Sequence, residues 1–254
     1  MIYDADNYNN NYQYKKLNFL FLHIPKCAGS SLRCILSDYF QQIYKEDEIF
    51  IPNANHNINF LSTYFQQICE LYEYDKMKVV LAHCKYNDLK HMNVHSNYKI
   101  TFLRDPIERI ISHYYFFDYE NTKTHLIDLQ IDEFVKLCNY YGNVMCDWLG
   151  LLDLNDELIE HLIPERINEF DFIGCVETFK QDITTLNQLL NDWFGISYEL
   201  DIHIVENKNN NNIQKTDLTE LYEKIKPFVI NINDYKLYKY VIMSKSNNNN
   251  NNLV

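Results

Sequence analysis

The stretch Leu17–Ile43, LNFLFLHIPKCAGSSLRCILSDYFQQI, constrains the fold more than any other part of the 254-residue chain. An apolar run from Leu17 to Ile24 breaks at Pro25 into a short loop of Lys26, Cys27, Ala28, Gly29, Ser30 and Ser31. Beyond it, Leu32, Ile35, Leu36, Tyr39, Phe40 and Ile43 recur at helical spacing. A strand, a loop of small residues and an amphipathic helix make the outline of a phosphate cradle. Small residues let backbone N–H groups approach an anion. The helix N-terminus adds about half a positive charge, and Lys26 adds a whole one. Ser30 and Ser31 can serve as N-cap and as hydroxyl donors. The same outline also suits a plain turn. It departs from the nucleoside-triphosphatase pattern, because the lysine precedes the glycine and no Gly-Lys-Ser/Thr follows.

The rest of the chain repeats the alternation. A helix is expected around Ser62–Tyr74, and KVVLAH (Lys78–His83) reads as a short buried strand ending on His83. NYKITFL (Asn97–Leu103) is a third strand, followed at once by Arg104, Asp105 and Pro106. Asp105 is a natural N-cap and Pro106 a natural first helical residue. The helix they start carries a stripe of Ile107, Ile110, Ile111, Tyr114 and Tyr115. Further helices are expected at Ile131–Cys138, Asn143–Leu152, Glu157–Glu169, Thr178–Phe194, Asp217–Lys226 and Asp234–Met243, with a fourth strand within Phe170–Glu177. These alternations predict an α/β fold, a largely parallel sheet flanked by helices with a helical second half. Ligands of such sheets bind beyond the carboxyl ends of the strands, where Lys26, His83 and Arg104 all fall.

The chain is long enough for a single domain with a substantial core, here residues 15–244. Residues 1–14 read as a loose arm, 207–215 as an Asn-rich loop expansion and 245–254 as an Asn-rich tail. A formal charge of −12 argues against nucleic acid as a partner and disfavours long-range attraction of a heavily anionic polymer. Seven cysteines without a C-x-x-C spacing show no zinc or disulfide framework, and they fit reduced thiols. No segment approaches the ~18 consecutive apolar residues of a membrane span, and the first residues hold no apolar signal core. A cytoplasmic protein is the expectation from these features, with the oligomeric state open.

HIPKCAGSSL resembles the 5′-phosphosulfate-binding loop of sulfotransferases that use 3′-phosphoadenylyl sulfate (PAPS). ITFLRDPIERIISHYYF resembles their 3′-phosphate-binding motif, with its Arg-(Asp/His)-Pro-x-x-Arg-x-x-Ser-x-Tyr core intact. The likeness is to carbohydrate sulfotransferases of the uronosyl 2-O type and the wider family around them. LAHCKY, GNVMCDWLG, EFDFIGCVETF and DYKLYKYV resemble further family segments, so the likeness spans Phe19 to about Val241.

The resemblance implies a P-loop-like sulfotransferase fold and transfer of a sulfuryl group from PAPS to an acceptor hydroxyl, on a carbohydrate. His91, His95, His113 and His125 show no metal-ligand spacing with carboxylates, so no metal is expected. The resemblance places Lys26 on the bridging oxygen between the 5′-phosphate and the sulfuryl group. Cys27, Ala28, Gly29, Ser30 and Ser31 would wrap the 5′-phosphate, and Arg104 and Ser112 would hold the 3′-phosphate. Arg offers a planar donor fork suited to phosphate, and Ser adds a neutral donor. Arg109 stands equally as a further phosphate ligand or as a brace. The family often has Thr and Gly where this chain has Cys27 and Ala28; Ala is tolerated there if φ stays negative.

His83 is the expected general base, since a histidine with a pKa near 6.5 suits removal of an alcohol proton at neutral pH. The plainer reading of His83 is a hydrogen-bonded histidine at a strand end. His23 is expected to be structural and the aromatics to be mostly core and interface fillers, although Trp148 or nearby tyrosines could stack on a sugar. Glu177 could equally partner a loop N–H. Golgi relatives are usually membrane-anchored, so a cytosolic enzyme acting on a small hydroxylated molecule stands as an alternative. A P-loop kinase would need a Lys after the Gly and a Mg²⁺-binding acid, neither of which is evident. A catalytically inactive PAPS-binding module would be expected to lose the base.

Overall fold

A computed structural model describes residues 15–51, 76–91, 94–152, 156–201 and 215–251. The expected helix around Ser62–Tyr74, the N-terminal arm and the Asn209–Asn212 run lie outside these residues.

Five strands form one parallel sheet: β1 (Lys15–Leu22), β2 (Ile49–Phe50), β3 (Val79–Ala82), β4 (Val94–Leu103) and β5 (Phe172–Cys175). Their order across the sheet is β2-β3-β1-β4-β5. β1 therefore lies in the middle, with Leu22 beside Ala82 on one side and Thr101 on the other. The loop after β1 is flanked by the ends of β3 and β4, the strands that lead to His83 and Arg104.

Alternation along β1 builds the core on both faces, because successive side chains of a strand point to opposite sides. Phe19 and Phe21 pack with Leu32, Ile35, Leu36, Tyr39 and Phe40 of α1 (Gly29–Gln41). Leu20 and Leu22 face the opposite cluster with Met145, Cys146 and Trp148. Both faces of β3 are covered, so all four of its residues are buried. Gly174 of β5 is dictated by close approach: a Cβ there would lie 2.3 Å from the Phe102 ring.

A short helix, α2 (Tyr86–His91), follows β3; neither it nor the two-residue edge strand β2 has a periodicity long enough to read in sequence. α3 (Pro106–His113) starts as expected, with the Asp105 carboxylate accepting from the N–H groups of Ile107 at 2.9 Å and Glu108 at 3.1 Å. It continues through a π-helical turn, Tyr114–Asp118, and one further turn, Tyr119–Thr122.

The second half is helical: α4 (Ile131–Tyr141), α5 (Val144–Trp148), α6 (Asp156–Ile167), α7 (Phe179–Phe194), α8 (Lys215–Val229) and α9 (Asn233–Asn251). α7 stops at Gly195, whose φ of 66° is the left-handed cap that glycine adopts at least cost. α9 overruns the expected stop after Met243. Lys245, in the stretch read as a tail, reaches both carboxylate oxygens of Asp182 at 2.7 Å and anchors the extension.

Family-like segments far apart in sequence bolt onto one another. Asp234 of α9 is fully buried, accepts from the N–H groups of Met145 at 2.9 Å and Cys146 at 2.7 Å, and faces Arg109 Nε at 3.9 Å. Arg109 also donates to the Tyr141 carbonyl. Glu177 accepts from the Asp105 N–H at 2.8 Å and from the Tyr238 hydroxyl at 2.7 Å. Arg109 and Glu177 thus tie α3 and its N-cap to α9.

Candidate active site

Three loops at the carboxyl edge of the sheet, with the helices that follow the first and third, carry the expected site residues. The first follows β1. Lys26 and Ala28 both have positive φ, 67° and 56°, so the chain turns sharply before α1. The condition for tolerating alanine at position 28, a negative φ, is not met. An L-residue there carries about 1–2 kcal/mol of strain that a glycine would not. Ala28 is also the N-cap of α1, with no side-chain cap, and this corrects the N-cap role expected of Ser30 or Ser31. Both serines lie inside the first helical turn, Ser30 exposed and Ser31 half-buried. An uncapped helix start leaves its first N–H groups without intrahelical partners, which is what an anion requires.

Cys27 contributes differently from expectation. It is buried, and its N–H turns inward to the Ile24 carbonyl at 3.3 Å. Burial pushes its thiol up to about 12, so it is an uncharged packing residue. That leaves Ala28, Gly29, Ser30 and Ser31 as the candidate anion-facing run. Gly29 is dictated by His23, since a Cβ at this position would fall 1.6 Å from the imidazole Cδ2.

The second loop follows β3. His83 is half-buried, with its Nδ1 2.9 Å from the backbone carbonyl of His23. A carbonyl only accepts, so Nδ1 carries the proton and Nε2 is left as the basic nitrogen. The ring stacks on that of His23 at 3.7 Å and meets Trp148 edge-on at 5.6 Å. Burial, reinforced by the positive charge of Arg33, lowers the His83 pKa to about 4, so the imidazole is neutral at physiological pH. His23 is lowered well below its usual value, by burial first and then by His83, Arg33 and Lys26. Arg33 had no motif signal. It is a polar residue on a helix face whose neighbours are apolar, and only the fold brings its charge within reach of both histidines. Trp148 is 4% exposed, a core residue as most of the aromatics are expected to be: it walls His83 and offers no open face to a sugar.

The third loop follows β4. Arg104 Nη1 donates to the Lys26 carbonyl at 3.4 Å, and Nη2 pairs with Glu108 at 3.3 Å. Its Nε is buried with no hydrogen-bond partner. Ser112 lies further along α3, half-buried. Lys26 is half-buried, and burial together with Arg104 lowers its ammonium to about 8. Two cations held side by side, one with an unmatched buried donor, beside an uncapped helix start fit a polyanionic ligand. The residues present thus fit a nucleotide with two phosphate groups.

These loops form a candidate anion site at the carboxyl edge of an α/β sheet, with a neutral histidine beside it. Residues 12–241 match the sequence profile of the Sulfotransferase family, and the chain belongs to that family. Among solved structures, the chain is similar to a sulfotransferase from Alicyclobacillus acidocaldarius, at 14% identity and a TM-score of 0.42, over 84% of this chain and 92% of that one. No curated protein sequence matches. Among the described residues, no helix is long and apolar enough to cross a membrane.

Proposed function

We propose that the protein transfers the sulfuryl group of PAPS to a hydroxyl of a carbohydrate acceptor, with His83 as general base. The observation that carries this reading is the placement of Lys26, His83 and Arg104 beyond the ends of three neighbouring strands, with the His83 tautomer fixed by the His23 carbonyl. PAPS, when bound, supplies an activated sulfuryl group on a phosphate leaving group. Ala28 to Ser31 hold the 5′-phosphate with the N–H groups of the helix start and the two hydroxyls. Arg104 and Ser112 hold the 3′-phosphate; the unmatched Nε of Arg104 supports this assignment. Lys26 offers positive charge to the oxygen on which negative charge grows as the sulfur–oxygen bond breaks. His83 Nε2 takes the acceptor hydroxyl proton as that oxygen attacks, an effect typically worth ~10²–10⁴ in rate.

A small hydroxylated molecule is the second acceptor class, favoured by the formal charge of −12, which repels a polyanionic glycan at long range. Incubation with PAPS carrying a radiolabelled sulfuryl group distinguishes the two. The acceptors are a desulfated uronic-acid polysaccharide and a panel of small alcohols and phenols. Label on the polysaccharide supports the proposal, label on the small molecules alone moves it to the second class, and label on neither overturns it.

A further inference from the structure

The Lys26 ammonium sits 3.6 Å from the centroid of the Phe116 ring. Among the described residues, no carboxylate lies within ion-pair distance of it. Phe116 is 57% exposed, an unusual setting for a large apolar side chain, and it belongs to the π-helical turn Tyr114–Asp118. Such turns are rare, occur mostly as single turns inside α-helices, and are frequent at functional sites. Here the turn follows α3, the helix that carries Ser112. Phe116 is backed in turn by Phe117, edge-on at 4.5 Å, and Phe117 by His113 at 4.6 Å.

We propose that Phe116 is a positioning residue that holds the Lys26 side chain in its working place by a cation–π contact, leaving the full charge available to the transferred group. The inference rests on the reading of Lys26 given above. A lysine side chain has four rotatable bonds and loses much entropy when fixed. A carboxylate would fix it too, but would also neutralise the charge that must meet the departing oxygen. An aromatic face attracts the ammonium through its quadrupole and carries no net charge. The ring occupies one side of the nitrogen, and the N–H bonds on the other sides remain free to donate. Ordering is thus completed in the empty protein, and an incoming anion does not have to supply it.

Phe116→Leu keeps an apolar side chain and removes the quadrupole, whereas Phe116→Trp keeps and strengthens it. Two measurements test the proposal. In the nucleotide-free protein, the Lys26 side-chain NMR resonance, identified by its loss in Lys26→Arg, is titrated with pH. Phe116→Leu should make it deprotonate at lower pH than the parent, and Phe116→Trp should restore it. Calorimetry with adenosine 3′,5′-bisphosphate should then show about two- to tenfold weaker binding for Phe116→Leu, as expected for one side chain that must be ordered anew. Phe116→Trp should bind within about twofold of the parent by the same reasoning. A Lys26 titration indifferent to both substitutions, or a tryptophan variant as weak as the leucine one, would overturn the inference. Failure of the parent protein to bind the bisphosphate would instead remove the cofactor reading, with the titration still judging the Phe116–Lys26 contact.

Discussion

The Nδ1–H of His83 donates to the backbone carbonyl of His23 at 2.9 Å, joining the loop after β3 to the end of β1. That bond fixes which nitrogen of His83 is basic. It also makes the candidate site depend on the buried His23 ring, on which His83 stacks and which Gly29 accommodates.

Removal of the base is expected to separate binding from chemistry. His83→Ala should keep its affinity for adenosine 3′,5′-bisphosphate, while transfer from PAPS falls by ~10²–10⁴. Undiminished turnover would take His83 out of the mechanism.

The pH profile of kcat/KM follows from the two shifted groups. His83 acts when neutral, so with its pKa lowered to about 4 the rate should fall only as pH drops toward 4, well below an ordinary histidine limb. Lys26 acts when charged, so the alkaline limb should lie near 8. An acid limb near 6.5, the unperturbed histidine value, would contradict the burial of His83.

Stability carries the same signature. His83 is lowered to about 4 and His113 to about 3, chiefly by burial, and His23 is lowered well below its usual value. Their folded pKa values lie below the unfolded one, so the unfolded chain takes up protons first as pH falls. The stabilisation is complete above about pH 6.5 and drains away as pH falls toward 4, on the order of a few kcal/mol. Asp234, raised to about 6 by burial, acts with the opposite sign in the same range. Thermal denaturation between pH 7.5 and 4.5 is therefore read on Asp234→Asn, where a transition temperature independent of pH would refute the histidine contribution.

The loop offers a paired test. Gly29→Ala drives a Cβ into the His23 ring and should cost about 1–3 kcal/mol, as overpacking does. Ala28→Gly relieves a positive φ, and its thermal transition should be unchanged or slightly higher. A large loss from Ala28→Gly would show that the left-handed conformation is not what limits this position.

Much of this site was legible because its signals are local. Small residues after a strand, and Asp105 with Pro106 before an apolar stripe, act within a few positions of where they stand. Contacts between distant residues left only a partial trace. Glu177 could be read as a partner of a loop N–H and Arg109 as a brace, but their partners could not: Asp105 lies 72 positions from Glu177, and Asp234 belongs to the closing helix. The inward N–H of Cys27, the wall formed by Trp148 and the ring of Phe116 over Lys26 likewise exist only once the sheet has brought its loops together. The edge strand β2 has two residues, too few to show any period.

Arg109 shows why such a brace matters. Arg109→Met leaves Asp234 buried without its cation and should destabilise the fold by about 3–5 kcal/mol. Adding Asp234→Asn should recover part of that loss in chemical denaturation. A double variant less stable than the sum of the two single ones would contradict a direct pairing.

The most direct test of the two-phosphate site is calorimetric titration with adenosine 3′,5′-bisphosphate and with 5′-AMP, on the parent protein and on Arg104→Ala. The parent should bind the bisphosphate at least about tenfold more tightly than 5′-AMP, the scale of a charge-assisted contact to the 3′-phosphate. Arg104→Ala should erase most of that difference. Equal, negligible binding of both nucleotides by the parent protein would contradict the account.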